Sequence, residues 1–303
     1  MKYVIVSIKR QHKTHEQRKK EQAKKGMLQG EVLSRLDDLF RYKHWEIYHT
    51  DLSCYMRYVR TLSKLKPDEQ DFMLALTRRF EDIPLGAYVQ HLVKPLGQLR
   101  KQFAGKLVFV GCMTEDDIKH REVKSCNNVL YQLKGTTMRY YIDLWPKVNR
   151  ENVRAITAKD VDQINAGTAM LVFVDDYIGT GETALAAANY LVKAQPRLTN
   201  SGNVCFLAIA AQKEGIEKLQ TNGYRVYVAD EYEKGIRDYY KGEKLDAARE
   251  MMTQIESGLK GLDDKFRFGY KQSEGLVCME RCPNNTFPIY WLTKHDAPYE
   301  RGK

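Results

Sequence analysis

The sequence predicts an α/β fold built on a parallel sheet, and three observations carry that reading. Short, almost wholly apolar runs recur at residues 106–112 (KLVFVGC), 171–174 (LVFV), 204–211 (VCFLAIAA) and 224–229 (YRVYVA). Runs this short with little polar alternation suit strands buried on both faces, as parallel sheets require. Helical patterns fill the gaps between them, and strands alternating with helices imply parallel order with crossover connections.

In chain order, MKYVIVSIKR reads as a first strand, with an apolar stretch too short for a secretory signal and no small-residue cleavage site. Residues 10–25 form a basic helix or arm. Residues 32–39, 56–65 and 68–80 show apolar spacing of helical type, and Pro67 before Asp68 and Glu69 suits a helix start. Residues 87–103 suit a further helix, interrupted at Pro95. Residues 1–105 are therefore expected to be a strand plus a mostly helical extension. No Gly/Ser/Pro-rich joint separates it from residues 106–303, so it is expected to pack on that core. Within the core, a loop after 106–112 leads to a helix starting near Asn127, and a helical run over 184–194 is stopped by Pro196.

The run LVFVDDYIGTGET, residues 171–183, joins a strand, two adjacent carboxylates, a glycine-threonine turn and a helix start. A parallel sheet delivers Asp175 and Asp176 to its carboxyl edge, where ligands of open α/β folds bind. Gly179 and Gly181 allow a tight turn and close approach, while Thr180 and Thr183 add hydroxyls at the mouth of a helix beginning near Glu182. Free N–H groups at a helix N-terminus suit a phosphate. The two carboxylates suit the hydroxyls of a ribose, or a magnesium ion bridging to a diphosphate.

These residues resemble the phosphoribosyl diphosphate (PRPP) motif of type I phosphoribosyltransferases: four apolar residues, two acids, two variable positions, a small or hydroxyl residue, then Thr-Gly-x-Thr. In that family the loop after the first core strand holds the diphosphate. The resemblance thus assigns Lys124, Ser125 and Arg121 to this task, Lys124 as a point charge and Ser125 as a donor at a helix start. A solvated basic loop is the other reading. Residues 268–291, FGYKQSEGLVCMERCPNNTFPIYW, resemble the ending of phosphoribosyltransferase-like proteins of bacterial conflict and antiphage defence systems, the PRTase-CE-like, retron-associated type. In residue terms Pro283, Asn284, Asn285 and Thr286 are a turn signal, with 275–279 and 287–292 expected as the short strands of a small C-terminal hairpin. Asn284 and Asn285 either make that turn or reach the ligand.

The resemblance implies pentosyl transfer, in which a nitrogen nucleophile displaces diphosphate from C1 of PRPP or a related nucleotide. Magnesium, Lys124 and the loop amides would steady the departing charge, and Asp175 and Asp176 would hold the ribose. For proton transfer the sequence offers nothing better than Glu182 or Glu231. The same resemblance implies an antiviral effector with partners encoded beside it, a reverse transcriptase or an ATPase, and leaves room for a homodimer. A non-catalytic module that senses a nucleotide, or docks on nucleic acid or a partner, is the competing expectation, since fold alone does not decide activity.

Composition sets bounds on partners. At 303 residues and 43% hydrophobic the chain can bury a sizeable core. Its net charge of +10 favours phosphates, nucleic acid or an acidic protein surface. Over residues 10–25, Arg10, Lys13, Arg18, Lys19, Lys20, Lys24 and Lys25 face only Glu16 and Glu21, which makes this arm either a solvated face or a nucleic-acid contact. The aromatics are not interleaved with cations in the way of a base-stacking module. No apolar run is long enough for a membrane span, and a cytoplasmic protein is expected. Six scattered cysteines read as free thiols, with no four-ligand zinc pattern. The histidines, His91 and His120 among them, read as surface residues and give no hydrolase constellation.

Overall fold

The computed structural model describes residue 28 and residues 30–301. The expected first strand and the basic arm lie outside the described residues. The chain divides into two compact units, one ending at Arg78 and one starting at Arg79. The first contains α1 (Gly30–Tyr42), α2 (Cys54–Ser63) and α3 (Pro67–Arg78). Spacings of three and four put Val32, Leu36, Leu39 and Phe40 on one buried stripe of α1. The Phe40 ring meets Trp45, Tyr55 and Tyr58 edge-on, with centroids 5.3, 5.2 and 5.4 Å away. Ser53 caps α2 by accepting the Met56 N–H at 3.2 Å.

The second unit contains the sheet. Its elements are β1 (Glu81–Asp82), α4 (Tyr88–Gln102), β2 (Lys106–Gly111), α5 (Glu115–Lys119), α6 (Cys126–Lys134), β3 (Lys147–Arg150), α7 (Ala158–Asn165), β4 (Ala169–Ile178), α8 (Glu182–Ala194), β5 (Val204–Gln212), α9 (Lys213–Thr221), β6 (Arg225–Tyr232), α10 (Glu243–Ser257) and β7 (Val277–Cys278). Five strands form an all-parallel sheet in the order β3-β2-β4-β5-β6. Met170, Val172 and Val174 of β4 pack with Leu92 and Leu96 of α4 and Leu133 of α6 on one face. Leu171 and Phe173 pack with Val161 of α7 and Ala187 and Leu191 of α8 on the other. Cover on both faces is why these strands read as unbroken apolar runs. Helix α4 packs on this sheet and runs through Pro95 without the expected interruption. The proline is buried, and its missing N–H costs the helix only the bond to the His91 carbonyl.

From β2 the chain steps outward to β3 at the sheet edge, then returns past β2 to β4 before moving on to β5 and β6. The direction of travel reverses between β2 and β4. Loops leaving the carboxyl ends of these two neighbours must diverge, and the gap between them is a crevice. Among the described residues no helix is long and apolar enough to cross a membrane.

The C-terminal region is not the expected hairpin. β7 pairs in parallel with β1, and residues 288–290 form a single 3-10 turn instead of a strand. Pro288 fixes φ and lacks the N–H that a ladder needs. Thr286 Oγ1 donates to the Val277 carbonyl at 2.5 Å, and Trp291 Nε1 donates to the Thr286 carbonyl at 2.7 Å, which ties this turn down. Between α10 and β7, Phe268, Lys271, Gln272 and Glu274 all adopt positive φ, 58°, 54°, 56° and 52°. Each such residue costs about 1–2 kcal/mol, so the surroundings must impose the shape. Glu274 is fully buried and does much of that. It accepts the N–H groups of Ile236 and Arg237 at 2.9 and 2.7 Å and pairs with the guanidinium groups of Arg237 and Arg249 at 3.1 and 3.7 Å. Buried Glu256 likewise accepts the Phe268 N–H, at 2.9 and 3.2 Å, and burial pushes its carboxyl up to about 7.

Replacing Glu274 with alanine would strand two arginines and two backbone donors. A loss of about 3–5 kcal/mol is expected, seen as a fall of roughly 6–20 °C in the melting temperature by circular dichroism.

Candidate functional site

The two carboxylates sit at the end of β4, beside the crevice left by the strand reversal. Ser125, which opens α6 after β2, donates from Oγ to Asp175 Oδ1 at 3.1 Å, so residues fifty positions apart meet across it. Asp175 Oδ1 also accepts the Asp176 N–H at 3.0 Å. Asp176 is not solvent-facing, as a bare strand-end acid would be: it is 3% exposed. Its Oδ2 accepts the hydroxyl of Tyr88, the buried first residue of α4, at 3.0 Å, and that hydroxyl in turn accepts the Glu280 N–H at 3.2 Å. Burial pushes both carboxyls above the ordinary range, and the charge of Asp176 lifts Asp175 further. Hydrogen bonds from Ser125 and Tyr88 pull Asp176 back in part. Beneath the pair lie the Cys112 and Cys126 thiols, raised by burial and then by the charge of Asp175, so they stay protonated and inert.

A cavity of about 760 Å³ opens over this pair. Lys124, Ser125, Asp175, Asp176, Gly179, Thr180, Gly181, Glu182, Thr183, Asn284 and Asn285 all line it. Arg121 does not. It occupies the loop between α5 and α6 with φ 53° and is exposed. Lys124 reaches the cavity already paired, with Asp117 at 2.9 Å and Glu122 at 3.7 Å. Burial works against its charge, but the bond to Asp117 and the surrounding carboxylates outweigh that and raise its pKa.

The glycine-threonine turn is built by close backbone approach. Gly181 has φ +75° and precedes α8 directly, so the first-turn amides of α8 have no intrahelical acceptor. A Cβ on Gly181 would meet the Gly215 carbonyl oxygen at 3.0 Å, and a Cβ on Gly215 would lie 2.2 Å from the Gly179 oxygen. The loop therefore rests on the first turns of α9 at Gly215, a residue the sequence reading missed; a glycine soon after a strand end is the only signal it gave. A Cβ on Gly179 would strike the Asn285 side chain at 2.3–2.4 Å. Asn285 thus braces the turn, and its own side chain donates to Ser273 Oγ at 3.3 Å.

Glu182 begins α8 but is not a free base. Lys271 bonds it, Lys218 lies 3.5 Å away and the Tyr270 hydroxyl donates to it at 3.3 Å, and the Lys271 bond holds its carboxyl below the usual range. Glu231, the other proton-transfer candidate, lines a separate hollow with His91, which bonds Asp230 at 2.6 Å. His120 lies on the surface, its ring bonded to the Asp116 carbonyl. The structure adds Phe266 and Arg301, which no motif marked, and from the 268–291 segment Tyr270 and Arg281, to the cavity wall. Among the described residues no cluster of three or more His, Cys, Asp or Glu is placed to hold a metal. The oxygen-only pair Asp175 and Asp176 does fit a magnesium ion that takes its remaining ligands from water and a substrate diphosphate.

Raised carboxyl pKa values mean that the protonated pair suits the fold, so its stabilisation is full below about pH 4 and is lost as pH rises through the folded values. Asp175→Asn with Asp176→Asn should therefore raise the melting temperature at pH 7, by roughly 2–4 °C per kcal/mol relieved, with the gain vanishing near pH 4 in a thermal series. Gly215→Ala should displace the 179–181 backbone and cost about 1–3 kcal/mol of stability, read as a lower melting temperature by circular dichroism. Gly181→Val should do the same, through its positive φ and the Gly215 contact.

No curated protein matches the chain. The sequence profile of PRTase-CE matches residues 73–301, which spans the whole of the sheet, the carboxylate pair, the glycine-threonine turn and the C-terminal wall of the cavity. With most of its length matched, and with a five-stranded parallel sheet flanked by helices presenting that loop, the chain belongs to the phosphoribosyltransferase-like family PRTase-CE.

Proposed function

We propose that this phosphoribosyltransferase-like protein binds PRPP, or a related ribose phosphate, in the Asp175–Asp176 cavity and transfers the pentosyl group from C1. One observation carries the reading: the strand-end acids with the 179–183 turn, the Lys124–Ser125 loop and the Asn284–Asn285 turn are three distant parts of the chain that line one cavity. The first-turn amides of α8 with Thr180 and Thr183 take the 5-phosphate, where the helix dipole favours an anion. Asp175 and Asp176 hold the ribose hydroxyls, with Tyr88 fixing the Asp176 carboxylate from below. Ser125 and Lys124 face the diphosphate, and Lys124 must exchange Asp117 for it. A magnesium ion at the carboxylate pair would supply charge neutralisation for the diphosphate. As the C1–oxygen bond breaks, the diphosphate takes the bonding electrons, and the acids favour the cation that develops at C1. Glu182 is held by Lys271 and Glu231 lies outside this cavity, so the proton of the nucleophile leaves with a group of the acceptor or to water.

The likeness of the C-terminal segment to conflict-system proteins supports a role as effector in antiphage defence, controlled by a reverse transcriptase or ATPase encoded beside it. The Lys124–Asp117 pair favours a second reading, a nucleotide sensor without turnover, because it leaves the cavity poorer in available positive charge. Incubation with PRPP, NAD and nucleotides in magnesium, followed by mass spectrometry, separates them. Transfer predicts release of diphosphate or base and a loss of about 10²–10³-fold or more in Asp175→Asn with Asp176→Asn. Tight binding without any product selects the sensor.

A further inference from the structure

The stretch from residue 131 to residue 145 leads from the end of α6 to the edge strand β3 and turns its rings outward. Tyr131, Tyr140, Tyr141 and Trp145 are 74%, 85%, 52% and 77% exposed. The aliphatic residues of the same stretch face inward: Leu133, Met138 and Leu144 are buried, and Ile142 packs against the core. Among the described residues none of the four rings contacts another ring or forms a side-chain hydrogen bond. Packing therefore explains none of them.

Cations accompany the rings. Lys134 and Arg139 are exposed, and neither has an ion pair among the described residues. Lys147, half-buried, donates to the Leu133 carbonyl, and Arg100 donates to the carbonyls of Gly105 and Leu144, so these two cations are held inward and leave Lys134 and Arg139 as the exposed charges of the stretch, with Asp143 as the nearby acid. The core of a protein interface is also rich in Tyr and Trp, but it is depleted in lysine. This surface offers rings and positive charge without aliphatic area. Flat rings that any base can stack on, beside cations that follow a phosphate backbone, are the two components of single-strand binding.

We propose that the Tyr131–Trp145 surface is a stacking platform for single-stranded nucleic acid. It is separate from the cavity and does not depend on the transfer reaction.

The test is fluorescence anisotropy of the full chain with labelled single-stranded oligothymidylate and oligouridylate, about 20 nucleotides long. Tyr140→Ala with Trp145→Ala should weaken binding at least tenfold while leaving the melting temperature within a degree or two, because exposed rings contribute little to the core. Binding should also quench Trp145 emission. Lys134→Gln with Arg139→Gln should flatten the log–log salt slope by about 1.4, at roughly 0.7 per lost phosphate contact. Asp175→Asn should bind as the unaltered chain does. The proposal fails if the unaltered chain binds neither oligonucleotide at low salt, or if the ring variant binds equally well. It fails too if duplex competes as effectively as single strand, or if only exchange of Lys19, Lys20, Lys24 and Lys25 for glutamine removes binding. Capture of a protein by this surface, with no binding of either oligonucleotide, also overturns it.

Discussion

The reversal of strand order between β2 and β4 is the constraint on which the rest of this structure depends. Two parallel neighbours whose following segments leave in opposite directions cannot close over their own carboxyl ends. The gap receives Ser125 from one side and Asp175 from the other, 3.1 Å apart. Everything that makes the site chemical is a response to that gap. The 179–181 turn fits against Gly215 because neither backbone carries a Cβ there, and the Asn285 side chain closes the remaining space beside Gly179.

Burial turns this geometry into electrostatics. Two adjacent carboxylates in water would differ little from ordinary aspartates. Bonded by Tyr88 and Ser125 and close to two protonated thiols, they resist holding two negative charges. The doubly charged pair is thus disfavoured electrostatically, and the C-terminal wall is strained in its backbone, with four non-glycine residues at positive φ. Buried Glu274 and Glu256 hold that wall in place. Local strain beside a ligand cavity is a common feature of functional sites, where packing elsewhere imposes shapes the chain would not choose.

The outward-facing rings of 131–145 pose the opposite problem, apolar surface that nothing in the second unit covers. Their exposure depends on which side chains the turn before β3 draws into the core. Met138 and Leu144 are the residues drawn in. Along the sequence the rings and cations look irregular, because only their arrangement on the folded surface separates them from the aliphatic residues between them.

The sequence by itself determined the parallel sheet, four of its five central strands, the helix after the acids and the residues of the phosphate-type turn. These follow from local physics: unbroken apolar runs, positions that favour glycine, and a helix start. It missed β3, four residues with no apolar run, and read a strand at 287–292 where Pro288 breaks the ladder. Tertiary structure alone decided that Asp176 is buried, that Lys124 arrives paired and that Glu182 is held by Lys271. It also decided that Tyr88, Gly215, Arg281 and Arg301 belong to the site. Each of those facts is a contact or burial between residues far apart in the chain, and such proximity is set by how layers pack, which no local pattern encodes.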